Sequence, residues 1–434
     1  MIFSAQYFST STPILDTLRP LSNQQRDRLS AGDCFLISSA MMLVFVKLGA
    51  IRTFIDLFAG QPVALLCAGL FVPLFALMAA VAVHEAGHGL AGKLNGFRTT
   101  EIKIGPFMLH GSQSTQNLRA QQILPLGVTS MVPLFAERLR RRLFFVVLAG
   151  PMANFLVPLL LESAFRMARN GMDPSLQPTT RLLPAVLHLF SAFSVLLGLS
   201  SLLPDMTANG SFSDGARLHM LLKHDARAAR WFAIVELQLA LHRGEHPRGW
   251  SEPLVAQAVG LKDESLDAVM AHWLAYVYYV CRHDVTLATK YLEDALALLG
   301  SANSPMRDSL FLEAAVLQAW FRHNSLKARF WASEIHDRRF LSPVQRLRLE
   351  VALLWAEGKL LDAWEKLGDY LRTIREMPPS PLRDLAEQGA IEWKEQMEPR
   401  MLAGAWAALH SHSQQQVASS TAAVAQGLAG VSSW

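Results

Sequence analysis

Residues 63–92 read VALLCAGLFVPLFALMAAVAVHEAGHGLAG, an apolar run that is broken only by His84, Glu85 and His88. A helix needs roughly 20 mostly apolar residues to cross a bilayer, so this run is long enough to do so. An ionisable side chain within such a span costs about 2.5 kcal/mol or more unless it is paired or binds a metal. Three of them so close together predict a compensating partner elsewhere in the chain.

The rest of the chain divides into an apolar part and a part of ordinary soluble composition. Hydrophobic residues make up 51% of the 434 residues and charged residues only 18%, whereas soluble proteins carry about 25% charged residues. The long apolar runs fall before residue 205, and residues 216–410 have a soluble composition. The net charge of +4 does not suggest nucleic-acid binding, and three scattered cysteines argue against a disulfide framework.

Three further apolar segments extend the membrane part to a polytopic helix bundle. They are Cys34–Ile51, which Lys47 interrupts, Leu143–Leu161 and Leu182–Leu203. Basic residues collect just before the second of these, at Arg138 and residues 140–142, and loops rich in Lys and Arg face the cytoplasm. We therefore expect a multi-pass integral protein of a bacterial inner membrane whose C-terminal domain is cytoplasmic.

The fold class predicted for the whole chain is mostly α, with one short β element and a helical repeat domain. Residues 97–107, FRTTEIKIGPF, alternate in character and then reach a Gly-Pro turn, which predicts a membrane-associated β-hairpin. Three later stretches align at periods of 40 and 35 residues and superpose Ala288, Ala328 and Ala363. Such periods indicate stacked helical hairpins similar to tetratricopeptide repeats.

These patterns predict four divisions of the chain. They are a cytoplasmic segment at residues 1–32, a transmembrane domain at 33–222, a helical repeat domain at 223–410 and a disordered tail at 411–434. The tail is rich in Ser, Ala and Gln, a composition that is typical of disorder.

The motif His84-Glu-Ala-Gly-His88 carries the chemistry. Residues four apart share one face of a helix, so both imidazoles can reach the same zinc ion. Glu85 lies beside them and can take a proton from a water molecule whose pKa zinc lowers to about 7. The short pattern alone is suggestive, and its alternatives are a polar helix-packing patch or a helix end that emerges into water.

A catalytic zinc ion takes three protein ligands and keeps one open position, so the motif lacks one ligand. Asp214, in Ser213-Asp-Gly215, follows the last apolar segment on the same predicted side of the membrane as His88. The glycine after it allows the backbone to turn tightly. Ser-Asp-Gly could also be an ordinary turn or a helix N-cap, and Asp205 is a rival ligand without a following glycine.

With these motifs in order, residues 63–222 resemble the site-2 protease family of intramembrane zinc peptidases. The elements that carry the likeness are His84–His88, Ala149-Gly-Pro-Met-Ala-Asn-Phe155, Leu202–Pro204 with Asp214–Gly215, and Ile102-Lys-Ile-Gly-Pro106. The last element resembles the β element through which family members present an extended substrate.

The resemblance implies a role for eight residues. They are the zinc ligands His84, His88 and Asp214, the general base Glu85, and the substrate contacts Asn154, Ile102, Ile104 and Gly105. From the residues alone, Asn154 could instead hydrogen-bond between helices, and Gly150–Pro151 could be a mere kink. The chain departs from the family in having Ser201 where Asn is usual, and in a longer gap between Pro204 and Asp214.

The function that the resemblance implies is hydrolysis of peptide bonds in or near transmembrane segments of membrane-anchored proteins, with Zn²⁺ as cofactor. The expected partners are a membrane-protein substrate with a transmembrane helix, the lipid bilayer and a protein docked on the helical repeats, but no nucleic acid. A catalytically silent membrane scaffold that acts through its repeats is the main alternative, and the intact metal motif argues against it. A metal transporter is a second alternative, which the single polar cluster disfavours.

Overall fold

The computed structural model describes residues 62–105, 107–110, 127–170, 182–206, 210–299, 306–336 and 341–403. The predicted span Cys34–Ile51, the N-terminal segment and the C-terminal tail lie outside the described residues. The chain divides into two compact units, Met1–Leu310 and Phe311–Trp434. The predicted domain boundary at residue 222 stays a prediction.

Three apolar helices pack against one another in the first unit. They are α1 (Pro62–Leu94), α2 (Leu139–Asn170) and α3 (Leu182–Leu202). Among the described residues, Phe71–Leu94 and Leu139–Ala168 are long and apolar enough to cross a membrane, whereas Val186–Leu202 is apolar but shorter. Two of the predicted spans are therefore helices of sufficient length, and we call α1, α2 and α3 the bundle.

A three-stranded antiparallel sheet follows α1. Its strands are β1 (Phe97–Ile104), β2 (Phe107–His110) and β3 (Gly127–Pro133), in the order β2-β1-β3. The turn between β1 and β2 has Gly105 at φ +53°, where a side chain would be strained. A hairpin is confirmed at the predicted place, its association with the membrane stays a prediction, and β3 was not predicted. It pairs with β1 so that Ile102 lies opposite Thr129, which makes β1 the middle strand.

Five α-helices follow α3 in the described residues up to Leu299. They are α4 (Asp214–Lys223), α5 (Ala226–His242), α6 (Glu252–Val259), α7 (Leu266–Cys281) and α8 (Val285–Leu299). Along the chain, α6 contacts both α5 and α7, and α7 packs along α8. We call α5 to α8 the helical array.

Helix α5 has two buried faces. Ala233, Ile234 and Leu237 belong to a core shared with α6 and α7. Val235 belongs to a different core, which includes Leu143 of α2. Burial removes the apolar surface of both faces from water, so α5 is held at once by the helical array and by the bundle.

The second unit begins within α9 (Arg307–Val316), which a π-helical turn at Leu317–Phe321 continues. Its other helices are α10 (Ser325–Glu334), α11 (Pro343–Ala356), α12 (Leu360–Glu376) and α13 (residues 381–403). The ring of Trp320 stacks on Trp355 and Trp393, with centroids 5.1 and 4.0 Å apart.

The alanines that the repeat alignment superposes all lie on helices. Ala288 is on α8, Ala328 on α10 and Ala363 on α12, and none of the three has exposed surface. Small buried residues allow two helices to approach closely. The resemblance of the whole segment to tetratricopeptide repeats stays a prediction.

Candidate metal centre

His84, His88 and Asp214 come together in the first unit, although the third lies 130 residues after the first. Nε2 of His84 is 3.1 Å from Oδ2 of Asp214 and 3.1 Å from Nε2 of His88. Nε2 of His88 is 3.5 Å from the same carboxylate oxygen. A triangle with these sides places its corners about 2 Å from a common point, which is the length of a zinc bond to nitrogen or oxygen.

This donor set fits a zinc ion. Two imidazoles and one carboxylate are ligands that zinc prefers, and three protein ligands leave a position open for chemistry. Burial opposes ionisation of Asp214, but hydrogen bonds to His84 and His88 outweigh it and lower the pKa of the carboxyl to about 2. Asp214 is therefore a carboxylate at neutral pH and can neutralise half of the charge of a divalent ion.

The other ring nitrogens of the two histidines have fixed partners on α2. Nδ1 of His88 lies 2.8 Å from the backbone oxygen of Val146, to which it can donate a hydrogen bond. Such a bond fixes the tautomer and leaves Nε2 free to bind a metal. Gly150 makes this arrangement possible, because a Cβ at its position would lie 2.3 Å from Nε2 of His88.

Asn154 is fully buried beside the metal ligands. Its side-chain amide lies 3.1 Å from Nδ1 of His84, and its oxygen accepts a hydrogen bond of 3.2 Å from the Ser194 hydroxyl. This places Asn154 between two helices and against a metal ligand. Its predicted contact with the substrate backbone stays a prediction, and the alternative of a hydrogen bond between helices describes the geometry observed.

Asp214 reaches the histidines because the chain after α3 turns back on itself. Met206 pairs with Phe212 in an antiparallel bridge, and the Ser213 hydroxyl accepts a hydrogen bond from Ala216 N at the start of α4. The rival ligand Asp205 uses its carboxylate on the backbone nitrogen of Met206, at 2.8 Å. The chain thus meets itself just before Asp214, and this brings Asp214 rather than Asp205 to the site.

Gly215 is required by close packing of α4 against the end of α3. A Cβ on this residue would lie 1.9 Å from the backbone oxygen of Leu202. The sequence predicted a tight turn for this glycine. The structure shows instead that the glycine lets the first turn of α4 touch the last turn of α3, because real Cβ contacts do not come so close.

Glu85 faces β3 as well as the metal ligands. The Thr129 hydroxyl donates a 2.6 Å hydrogen bond to Oε2 of Glu85, and the glutamate has only 6% of its surface exposed. Gly127 is packed against the same carboxylate, since a Cβ there would lie 2.4 Å from Oε1. Sequence reasoning missed both residues because they belong to no motif. Their strand carries β-branched residues between Gly127 and Pro133, which was the one available signal.

A cavity of about 560 Å³ adjoins the metal ligands and Glu85. Other residues that line it include Gly127, Thr129 and Met131 of β3, Leu143 and Val147 of α2, Ser201 of α3, and Trp231, Val235 and Gln238 of α5. Ser201, at the position where the family usually has Asn, therefore borders the site. The α5 residues were not anticipated from the sequence.

The three residues predicted to bind substrate on the hairpin are outside the cavity lining, and their contact with a substrate stays a prediction. Ile102 and Ile104 belong to the middle strand, whose backbone is paired with β2 on one side and β3 on the other. Neither they nor Gly105 belong to the lining of the cavity. Four residues of β3 line the cavity, against Phe97 alone from β1. The outer edge of β3 pairs with no other strand in the part of the chain that the structure describes.

A model of one protein family, described as peptidase family M50, matches residues 72–418 of the chain. The match includes both histidines, Glu85 and Asp214, and it continues through the helical array into the second unit. No curated protein and no solved structure shows significant similarity to the chain.

Proposed function

This chain belongs to peptidase family M50, and from that membership we propose a zinc-dependent endopeptidase that cleaves peptide bonds in or near transmembrane segments of membrane-anchored proteins. The family consists of metallopeptidases that act within membranes. The observation that carries the proposal is the convergence of His84, His88 and Asp214 beside Glu85. Two helices of sufficient length and apolarity support a location in the bilayer.

In this proposal the three ligands hold zinc, and each remaining group has a separate task. A zinc ion, when bound, supplies Lewis acidity to the scissile carbonyl and to the attacking water. Glu85 takes the proton of that water on Oε1, because Thr129 already holds Oε2. It then gives the proton to the leaving amide nitrogen as the carbon–nitrogen bond breaks, so that an acid and an amine result.

The substrate has to present an extended backbone to this group. A helical segment hides its carbonyls in internal hydrogen bonds, so it must unwind locally before it can be cut. We propose that the unwound segment pairs with the outer edge of β3, because that strand carries Thr129 and borders the cavity. This moves the proposed docking strand from the predicted hairpin residues Ile102, Ile104 and Gly105 to its neighbour.

The proposal also retains a multi-pass location in a bacterial inner membrane. The basic residues before α2 favour a cytoplasmic position for the sheet and for the helices that follow α3. A protein partner of the helical repeats belongs to the same proposal. A catalytically silent scaffold is disfavoured, because a scaffold has no need of a buried glutamate beside three potential metal ligands.

The test is to replace Glu85 by Gln and to compare the membrane proteins that accumulate as uncut fragments. We expect cleavage to fall about 10²- to 10⁴-fold, the usual contribution of a general base, while the protein keeps its zinc. The matched control is Glu137→Gln, since Glu137 is an exposed carboxylate in the loop before α2. Unchanged fragments in Glu85→Gln cells would contradict the proposal.

A further inference from the structure

The cavity beside the metal ligands has one wall that the motifs of the family do not supply. Trp231, Val235 and Gln238 of α5 contribute to its lining. They are spaced by four and three residues, so they share one face of the helix. The other side of α5, which includes Ile234 and Leu237, packs into the core of the helical array. The helical array therefore reaches the cavity onto which Glu85 opens.

The lining around this face of α5 is mostly apolar. Val235 shares a core with Leu143 and Val146 of α2, and Met131 of β3 packs against the same core. The volume of about 560 Å³ lies within the range of roughly 300–1,000 Å³ that small-ligand sites occupy. There is room for a bulky aliphatic or aromatic side chain, and such a side chain would bury apolar surface on entry.

The wall is held in place by contacts from two directions. The guanidinium carbon of Arg217 lies 4.4 Å from the ring centroid of Trp231, a cation–π distance. Arg217 in turn donates a 2.7 Å hydrogen bond to Asp267 of α7. At the other end of α5, Arg243 donates a 3.1 Å hydrogen bond to the backbone oxygen of Leu134, just after β3. Because these contacts fix the position of α5, its residues can discriminate between substrate side chains of different size.

We propose that the part of the cavity that Trp231 and Val235 line is a pocket for one apolar side chain of the substrate, next to the scissile bond, and that these two residues set the size of side chain it accepts. The inference rests on the proposed function, because the pocket is defined by its position beside the metal ligands and Glu85. It makes the helical array part of substrate selection, since the array carries the wall on α5.

The experiment measures binding of a series of hydroxamic acids to the purified, zinc-loaded full chain by calorimetry. Acetohydroxamate probes the metal alone, and the isobutyl, benzyl and naphthylmethyl analogues add a side chain of increasing size. For the wild-type protein we expect affinity to rise about fourfold for each methylene group that the pocket buries. The largest analogue should lose this gain where it no longer fits.

Two substitutions change the pocket in opposite directions. Trp231→Ala enlarges it, and we expect the naphthylmethyl analogue to gain about tenfold relative to the isobutyl analogue. Val235→Phe narrows it, and the naphthylmethyl analogue should lose about tenfold relative to acetohydroxamate. Trp231→Phe is a milder enlargement that preserves an aromatic ring for Arg217, and it decides the question if Trp231→Ala does not fold.

The control is Trp273→Phe, because Trp273 packs against the core of the helical array but does not line the cavity. It should leave the order of the analogues unchanged. The inference is overturned if the Trp231 and Val235 variants keep the wild-type order of affinities for the analogues. It is also overturned if these variants change the affinity for acetohydroxamate as much as the affinity for the larger analogues. If the purified wild type binds neither zinc nor acetohydroxamate, the proposed metal centre itself is contradicted, which is a separate result.

Discussion

Buried polar side chains serve different ends in the bundle and in the helical array. In the bundle, Asn154 and Ser194 are buried and lie one and two hydrogen bonds away from His84, and Glu85, the residue after His84, is buried and hydrogen-bonded to Thr129. His84, also buried, is itself a ligand candidate. In an apolar helix a polar group without a partner is costly, and the hydrogen bonds of these residues offset that cost.

In the helical array a buried polar side chain holds the loop before α7 in place instead. Arg230 has 1% of its surface exposed and donates hydrogen bonds to Asp263 and Ser265, which precede α7. Buried ion pairs of this kind fix the position of a loop and add little net stability. A buried charge beside the metal ligands is therefore informative about chemistry, whereas Arg142 at the start of α2 and Arg230 of the array each hold a loop in place.

Within the bundle site, the largest effect on zinc affinity is expected from Asp214, the ligand that follows α3. Asp214→Ala should lower zinc affinity more than 100-fold, because it removes a ligand and not merely a neighbour of one. Zinc dissociation constants of the purified protein measure this. Asp205→Ala should leave them unchanged, and an equal loss in both variants would mean that the loop acts on zinc only by keeping its shape.

A smaller effect is expected at Asn154, where the two interpretations of the residue separate. Asn154→Leu should lower zinc affinity about 10- to 100-fold, since it removes the partner of His84 Nδ1. Asn154→Asp places a carboxylate oxygen at that nitrogen, where it can accept the Nδ1–H of a histidine that binds zinc through Nε2, and should stay within a few-fold of the wild type. If zinc affinity is unchanged in Asn154→Leu while the KM for a cleaved peptide rises, the substrate contact predicted from the sequence is the better interpretation.

The smallest effect contrasts a glycine of the site with one of the second unit. Gly215→Ala should destabilise the protein by about 1–3 kcal/mol, because its Cβ would meet Leu202 and overpack the junction of α3 and α4. Gly368→Ala, on an exposed face of α12 with no atom within 4 Å of the new Cβ, should stabilise it by about 0.5–1 kcal/mol. Thermal unfolding in detergent measures both, and shifts of the same sign would contradict the contrast.

The parts of the site that could be predicted from the sequence are those that stand out against an apolar background. His84, Glu85 and His88 interrupt a run of apolar residues, and Asp214 follows the last such run. The hairpin of β1 and β2 was predictable for a local reason, since Gly105 marks the turn between adjacent segments.

The parts that could not be predicted depend on contacts between distant segments. Thr129 lies 44 residues from Glu85, in a strand with no motif. Trp231 sits in a helix whose other residues are ordinary core residues, so nothing in its spacing separates a cavity wall from a packing face. Such residues become visible only when the fold brings them beside the site.

The bridge between Met206 and Phe212 bears on how related chains can be found. The chain meets itself at Met206 and Phe212, before Ser213, and Gly215 then packs α4 against the end of α3. We expect insertions between Met206 and Phe212 to leave Asp214 in place as long as these two residues still pair. A pattern search with a fixed spacing after Leu202-Leu-Pro204 would pass over chains of this kind, whereas a search that allows a variable insert before Ser-Asp-Gly would retrieve them.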